Sequence, residues 1–223
     1  MASLEINAKN WSWPRRSLAF LLSALAGLLA GGLLLWLARW LVPAGFAAEL
    51  GAKSAWYLSR STGTVAYLLL SASTIWGLLL SSKIVKEAIP APVALGLHSA
   101  LAWLAVALAG FHASILLFDS YYAYRILDLL VPFTGPYRPG WVGLGTVGLY
   151  LAFLTSASFS WRKWLGQQWW RRLHLLTFVA YLLVTIHGLA AGTDSGEPGM
   201  TLHYAGSGLL VLFLTNYRLL VGR

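Results

Sequence analysis

Cysteine is absent from the 223 residues. That excludes disulfides, iron–sulfur clusters, zinc ribbons and covalent haem attachment through C-x-x-C-H. Methionine occurs twice, at Met1 and Met200, so axial His/Met ligation has almost no candidates. Charge is scarce: Asp, Glu, Lys and Arg make up 10% of the chain, where a soluble domain carries about 25%. Hydrophobic residues reach 58%, with 12 Trp and a mean hydropathy of +0.68. A soluble enzyme, a disordered chain and a nucleic-acid partner are all excluded, in spite of the net charge of +9. The composition is that of an integral membrane protein.

Apolar runs stand at roughly 18–42, 61–82, 92–118, 140–160, 173–192 and 201–217. Each is near the ~20 residues that cross a bilayer as a helix. They are continuous and lack period-two alternation, which excludes a β-barrel. Pro90 and Pro92 open the third run and Pro139 the fourth, as suits helix starts. The stretch from Leu18 to Ala38 is longer than the apolar region of a signal peptide, so it reads as a retained first span. No internal repeat is evident. The expected fold is an all-α bundle of six transmembrane helices. A segment 1–17 precedes the bundle at 18–217, and a short tail 218–223 follows.

Basic residues orient the bundle. With the N-terminus cytoplasmic, eleven Lys/Arg fall inside, including Arg162, Lys163, Arg171, Arg172 and Arg218, and five fall outside: Arg39, Lys53, Arg60, Arg125 and Arg138. Acidic residues divide the other way, which leaves the inner side at +9 and the outer side neutral. Both termini are therefore expected in the cytoplasm. Trp11, Trp13, Trp161, Trp164, Trp169 and Trp170 gather at the inner boundary, and Trp36, Trp40, Trp56 and Trp141 at the outer one, as interfacial rings do. The segment Tyr121 to Phe133 has the pattern of a short interfacial helix over the bundle mouth.

Four of the five histidines lie in the third and fifth spans: His98 and His112, His174 and His187. Intramembrane ionisable groups are costly and tend to be functional. At about 100° per residue, the fourteen-residue step from His98 to His112 falls only about 40° short of four turns, so both share one helix face. The thirteen-residue step from His174 to His187 falls about 140° short. The fifth helix must then bend or change its winding, or the two levels must differ in azimuth. Both spans run from inside to outside, so His98 can face His174 near the inner leaflet and His112 can face His187 near the outer one. Neutral imidazole is a common haem ligand, and each pair can clamp one haem edge-on. No carboxylate lies in the spans to serve a proton relay. Gly96, Gly110 and Gly188 flank three of the histidines and can give a macrocycle room. His203 opens the sixth span without a partner at haem spacing and reads as an interfacial residue.

LHSALAWLAVALAGFHA and WRRLHLLTFVAYLLVTIHG, with their fourteen and thirteen spacings, resemble the ferric reductase-like transmembrane domain. That family is the membrane part shared by ferric reductases and NADPH oxidases. RSTGTVAYLLLSASTIWGLLLSS at 60–82, HGLAAGTDSG from 187 and FLTNYRLL near the end resemble its short bacterial members. The likeness covers roughly residues 55–220. It implies two b-type haems, the inner held by His98 and His174 and the outer by His112 and His187. It also implies electron transport across a prokaryotic plasma membrane, as an oxidoreductase component. Family members carry an arginine like Arg60 beside the outer haem, which implies a propionate partner there. Arg171 and Arg172 either reach inner propionates or anchor the inner boundary. Phe178 and Tyr181 lie within about 40° of the His174 face, where they either pack against porphyrin or relay electrons. No G-x-G-x-x-G follows a strand, so the donor is expected to be a separate cytoplasmic flavin reductase or a quinol. The acceptor is expected outside, as a ferric chelate or a redox partner. The alternative is a haem-free membrane anchor or assembly subunit.

Overall fold

The computed structural model describes residues 44–85 and 88–221, with residues 44–52 as backbone alone. The expected segment 1–17 and the expected first span at 18–42 lie outside the described residues. Lys53–Arg223 form one compact unit. The helices are α1 (Ala44–Ser81), α2 (Ala91–Ile115, prolonged by a 3₁₀ turn Leu116–Phe118), α3 (Ile126–Leu130), α4 (Pro139–Ala157), α5 (Arg162–Leu165), α6 (Gln167–His174), α7 (Leu176–Ala191) and α8 (Pro198–Val221). No strand occurs among the described residues. Five stretches are long and apolar enough to cross a membrane: Lys53–Ser81, Ala91–Phe118, Pro139–Ala157, Gln167–Ala191 and Pro198–Val221. The described chain is an all-α, multi-pass membrane bundle.

Proline sets two helix starts. Pro90 occupies the N-cap of α2 with Pro92 just inside, and Pro139 is the first residue of α4, where a missing N–H costs nothing. Helix α1 begins well before the expected residue 61, because Lys53 and Arg60 interrupt the hydropathy but not the backbone. Helix α8 likewise runs on through Arg218 to Val221, so most of the expected tail is helical. At the fifth span the ladder is interrupted at Leu175. Its N–H is shared between the carbonyls of Arg171 at 3.3 Å and Arg172 at 3.2 Å, and Phe178 N–H bonds back to Leu175 O at 3.1 Å. Bonds of this i→i−3 kind wind the chain more tightly, by about 20° per residue. They recover part of the rotation that thirteen residues lack. The winding changes directly after His174.

Helices α4 and α7 pack closely through small residues. A Cβ at Gly148 would lie 2.6 Å from Val184 Cγ2, and Ala180 is 1% exposed. Helix α8 joins α1 and α7 through larger side chains. Tyr67, Leu78, Tyr181, Val211 and Leu214 form the buried cluster, with Phe178 packed on its edge. Within it the Tyr181 hydroxyl donates to Ser207 Oγ at 2.9 Å, and the Tyr67 hydroxyl lies 3.1 Å from Thr185 Oγ1. Interhelical bonds of this kind average about 0.6 kcal/mol in a bilayer. Leu95, Leu104, Phe111, Leu182, Leu209 and Phe213 point outward, as lipid-facing side chains do.

Candidate functional site

The four span histidines meet in two cross-helix pairs. The rings of His98 on α2 and His174 on α6 have centroids 6.1 Å apart, with planes at 76°. Those of His112 on α2 and His187 on α7 are 6.3 Å apart, at 70°. Each level thus receives one imidazole from each of two helices. Among the described residues no group of three or more His, Asp or Glu side chains converges on one point. Two imidazoles are too few for a closed, all-protein zinc site.

Three of the rings share one support. His112 Nδ1 donates to the Ser59 carbonyl at 2.7 Å, and His98 Nδ1 to the Ser73 carbonyl at 3.1 Å. His187 Nδ1 donates to the Trp141 carbonyl at 3.0 Å. Four residues beyond each of these carbonyls stands a glycine whose missing side chain admits the ring. A Cβ would lie 2.9 Å from His112 at Gly63, 3.0 Å from His98 at Gly77 and 2.8 Å from His187 at Gly145. Donation from Nδ1 fixes the tautomer and turns the lone pair of Nε2 away from the supporting helix. Ser59 and Gly63 recur fourteen residues later as Ser73 and Gly77, the same step as from His98 to His112. This short internal repeat, S-x-x-x-G, is the signal in the sequence for the cradles. The flanking glycines do other things: Gly96 and Gly110 have nothing within 4 Å of a Cβ, and Gly188 lies against Tyr204.

The His112–His187 pair opens into a cavity of about 910 Å³, within the range of cofactor sites. Its wall includes His112, His187, Gly63, Gly145, Arg60 and Tyr67. Tyr121, Tyr122, Tyr124, Asp128 and Tyr137 line it from the loop side. Only residues 126–130 of the expected interfacial helix are helical. Asp128 caps that turn, its Oδ2 accepting from the Arg125 backbone N–H at 2.9 Å and its Oδ1 from the Arg125 guanidinium at 3.2 Å. The Arg125 side chain accordingly holds the Asp128 carboxyl below the usual carboxylate range. Burial pushes the Tyr124 phenol up.

Arg60 stands on the cavity wall, and its Nε donates to Asp194 Oδ2 at 2.7 Å. Its Nη2 also meets Asp194, and its guanidinium lies 4.0 Å over the Trp56 ring. The partner is 134 residues away in sequence, too distant for any local pattern to announce. Phe178 and Tyr181 belong to the buried cluster with Tyr67, not to the cavity wall. His203, half-buried, sits edge-on to Tyr67 with ring centroids 5.2 Å apart. On α5 and α6, Trp164 and Trp169 are exposed, and the Arg172 guanidinium lies 5.0 Å over the Trp169 ring.

No family model, curated protein or solved structure matches the chain.

Proposed function

We propose that the chain is a two-haem transmembrane cytochrome of the ferric reductase-like kind. In this reading it has six spans with both termini in the cytoplasm of a prokaryotic cell. It carries electrons from a cytoplasmic flavoprotein or quinol to an external acceptor such as a ferric chelate or a redox partner. One observation carries the reading: two imidazole pairs at centroid separations of 6.1 and 6.3 Å. Nitrogen–metal bonds of about 2.0 Å, with each ring centre about 1.1 Å behind its nitrogen, put two trans imidazoles about 6.2 Å apart. A porphyrin brings four equatorial nitrogens of its own and asks the protein for two axial ones, which is the donor set available at each level.

Bound there, haem supplies a one-electron couple on each side of the membrane. His98 and His174 hold the inner site, His112 and His187 the outer. The Ser59, Ser73 and Trp141 carbonyls keep three of the four rings in the ligating tautomer. Arg60, oriented by Asp194, has donors left over for a propionate, since a guanidinium carries five. With a histidine from each of two helices holding the haem, an acceptor would be served at the cavity lined by Tyr121 and Tyr122. Tyr67, Tyr181 and Ser207 brace the helices between the two levels.

Vesicles test this. The chain is reconstituted with reductant sealed inside, ferric citrate outside, and potassium with valinomycin to cancel the membrane potential. Ferrous iron is expected outside, and both His98→Ala and His112→Ala are expected to abolish it. Iron reduction at the rate of chain-free vesicles would sink the proposal.

A further inference from the structure

His174 departs from the arrangement that the other three histidines share. Its Nδ1 is buried without a hydrogen-bond partner among the described residues. Instead of lying on a glycine, its ring stacks on Trp170, centroids 5.3 Å apart and planes at 22°. The reason is visible in α4. On α1 the two cradles are fourteen residues apart. The same step along α4 from Trp141 and Gly145 arrives at Thr155 and Phe159. Helix α4 has ended at Ala157, and where a glycine is needed stands Phe159, its ring 6.0 Å from that of Trp170. The fourth cradle is missing.

An imidazole that gives its Nδ1–H to a carbonyl gains imidazolate character and donates more strongly through Nε2, which favours the higher oxidation state of a bound metal. One that keeps its proton unshared is the weaker donor. Nearby charge acts in the same direction. Arg218 is within electrostatic reach of His174, and Arg171 and Arg172 directly precede it. At the outer cavity wall Asp194 is paired with Arg60 and Asp128 with Arg125, and Lys53 and Asp119 line it as well, so no net charge of one sign faces that site. Positive charge favours an added electron and negative charge opposes it.

Resting on the bis-histidine reading above, we propose that the unpartnered Nδ1–H of His174 sets the inner site at a higher reduction potential than the outer site, whose two histidines are both hydrogen-bonded. His174 is then the ligand that distinguishes the two sides of the membrane. Transfer outward runs uphill and is drawn by the acceptor.

The experiment is potentiometric reduction of the purified chain, followed by visible absorption. The intact protein is expected to show two components. The haem kept by His112→Ala, held by His98 and His174, is expected to reduce first. At a common poise its ferrous-to-ferric ratio should exceed that of the haem kept by His98→Ala by about tenfold, which is about 59 mV for a one-electron couple. The order should persist in 1 M salt, where the Debye length falls to about 3 Å and the exposed arginines are screened. A single component in the intact chain, a reversed order, or a difference that vanishes in salt overturns the assignment to His174 while leaving two haems in place. Protein that binds no haem at all overturns the function proposed above as well.

Discussion

Replacing His112 with alanine is expected to reduce the haem content of the purified chain from two to one and to remove a single spectral component. The imidazole has no substitute at its level: its wall of the cavity otherwise offers Ala109, Ala113 and Leu116, none of which ligates. The inner pair, fourteen residues and about 21 Å of helix away, keeps both its ligands. His98→Ala is expected to remove the other component. Pyridine haemochrome quantitation with difference spectra reads both outcomes. Loss of the same component in both variants would refute the pairing by depth.

A comparable loss is expected from a residue that has no chemistry of its own. In Gly145→Ala the new Cβ would stand 2.8 Å from Cγ and Nδ1 of His187, closer than any real contact permits. The ring must move, which breaks the bond to the Trp141 carbonyl and carries Nε2 off its axis. Overpacking of this kind costs about 1–3 kcal/mol in a packed interior, and the outer haem should be lost or weakly held while the helix content survives. Gly208→Ala is the control, because a Cβ at Gly208 on α8 meets nothing within 4 Å. That variant should keep both haems. Gly145→Ala protein with a full complement of haem would mean that the cradle does not position His187.

Much of the bundle is legible from hydropathy and proline alone, because a bilayer punishes any other arrangement of the backbone. The helical repeat likewise puts His98 and His112 on one face of α2 by spacing and arithmetic. Other features depend on a neighbour. A glycine four residues after a carbonyl means nothing until an antiparallel helix brings a histidine to it, which is why the S-x-x-x-G repeat at Ser59 and Ser73 reads as ordinary membrane sequence. The glycines beside the histidines in sequence are more conspicuous, yet Gly96 and Gly110 touch nothing. The thirteen-residue step is readable as a conflict but not as a solution, since the shared bonds at Leu175 are a property of the folded chain. The ion pair of Arg60 with Asp194 joins α1 to the loop before α8, a distance that no local pattern spans. The start of α1 escapes for a simpler reason: hydropathy marks where a helix enters lipid, not where its hydrogen bonds begin.

Electron paramagnetic resonance of the oxidised, full-length protein, with haem and protein quantified on the same sample, tests the two-site bis-histidine reading most directly. Ring planes crossed at 76° and 70° leave the two π-type iron d orbitals nearly degenerate, which spreads the g values widely. Two haems per chain are expected, both low-spin with strongly anisotropic signals. A high-spin signal from an iron with an open axial position, or protein that binds one haem or none when haem is plentiful, would contradict it.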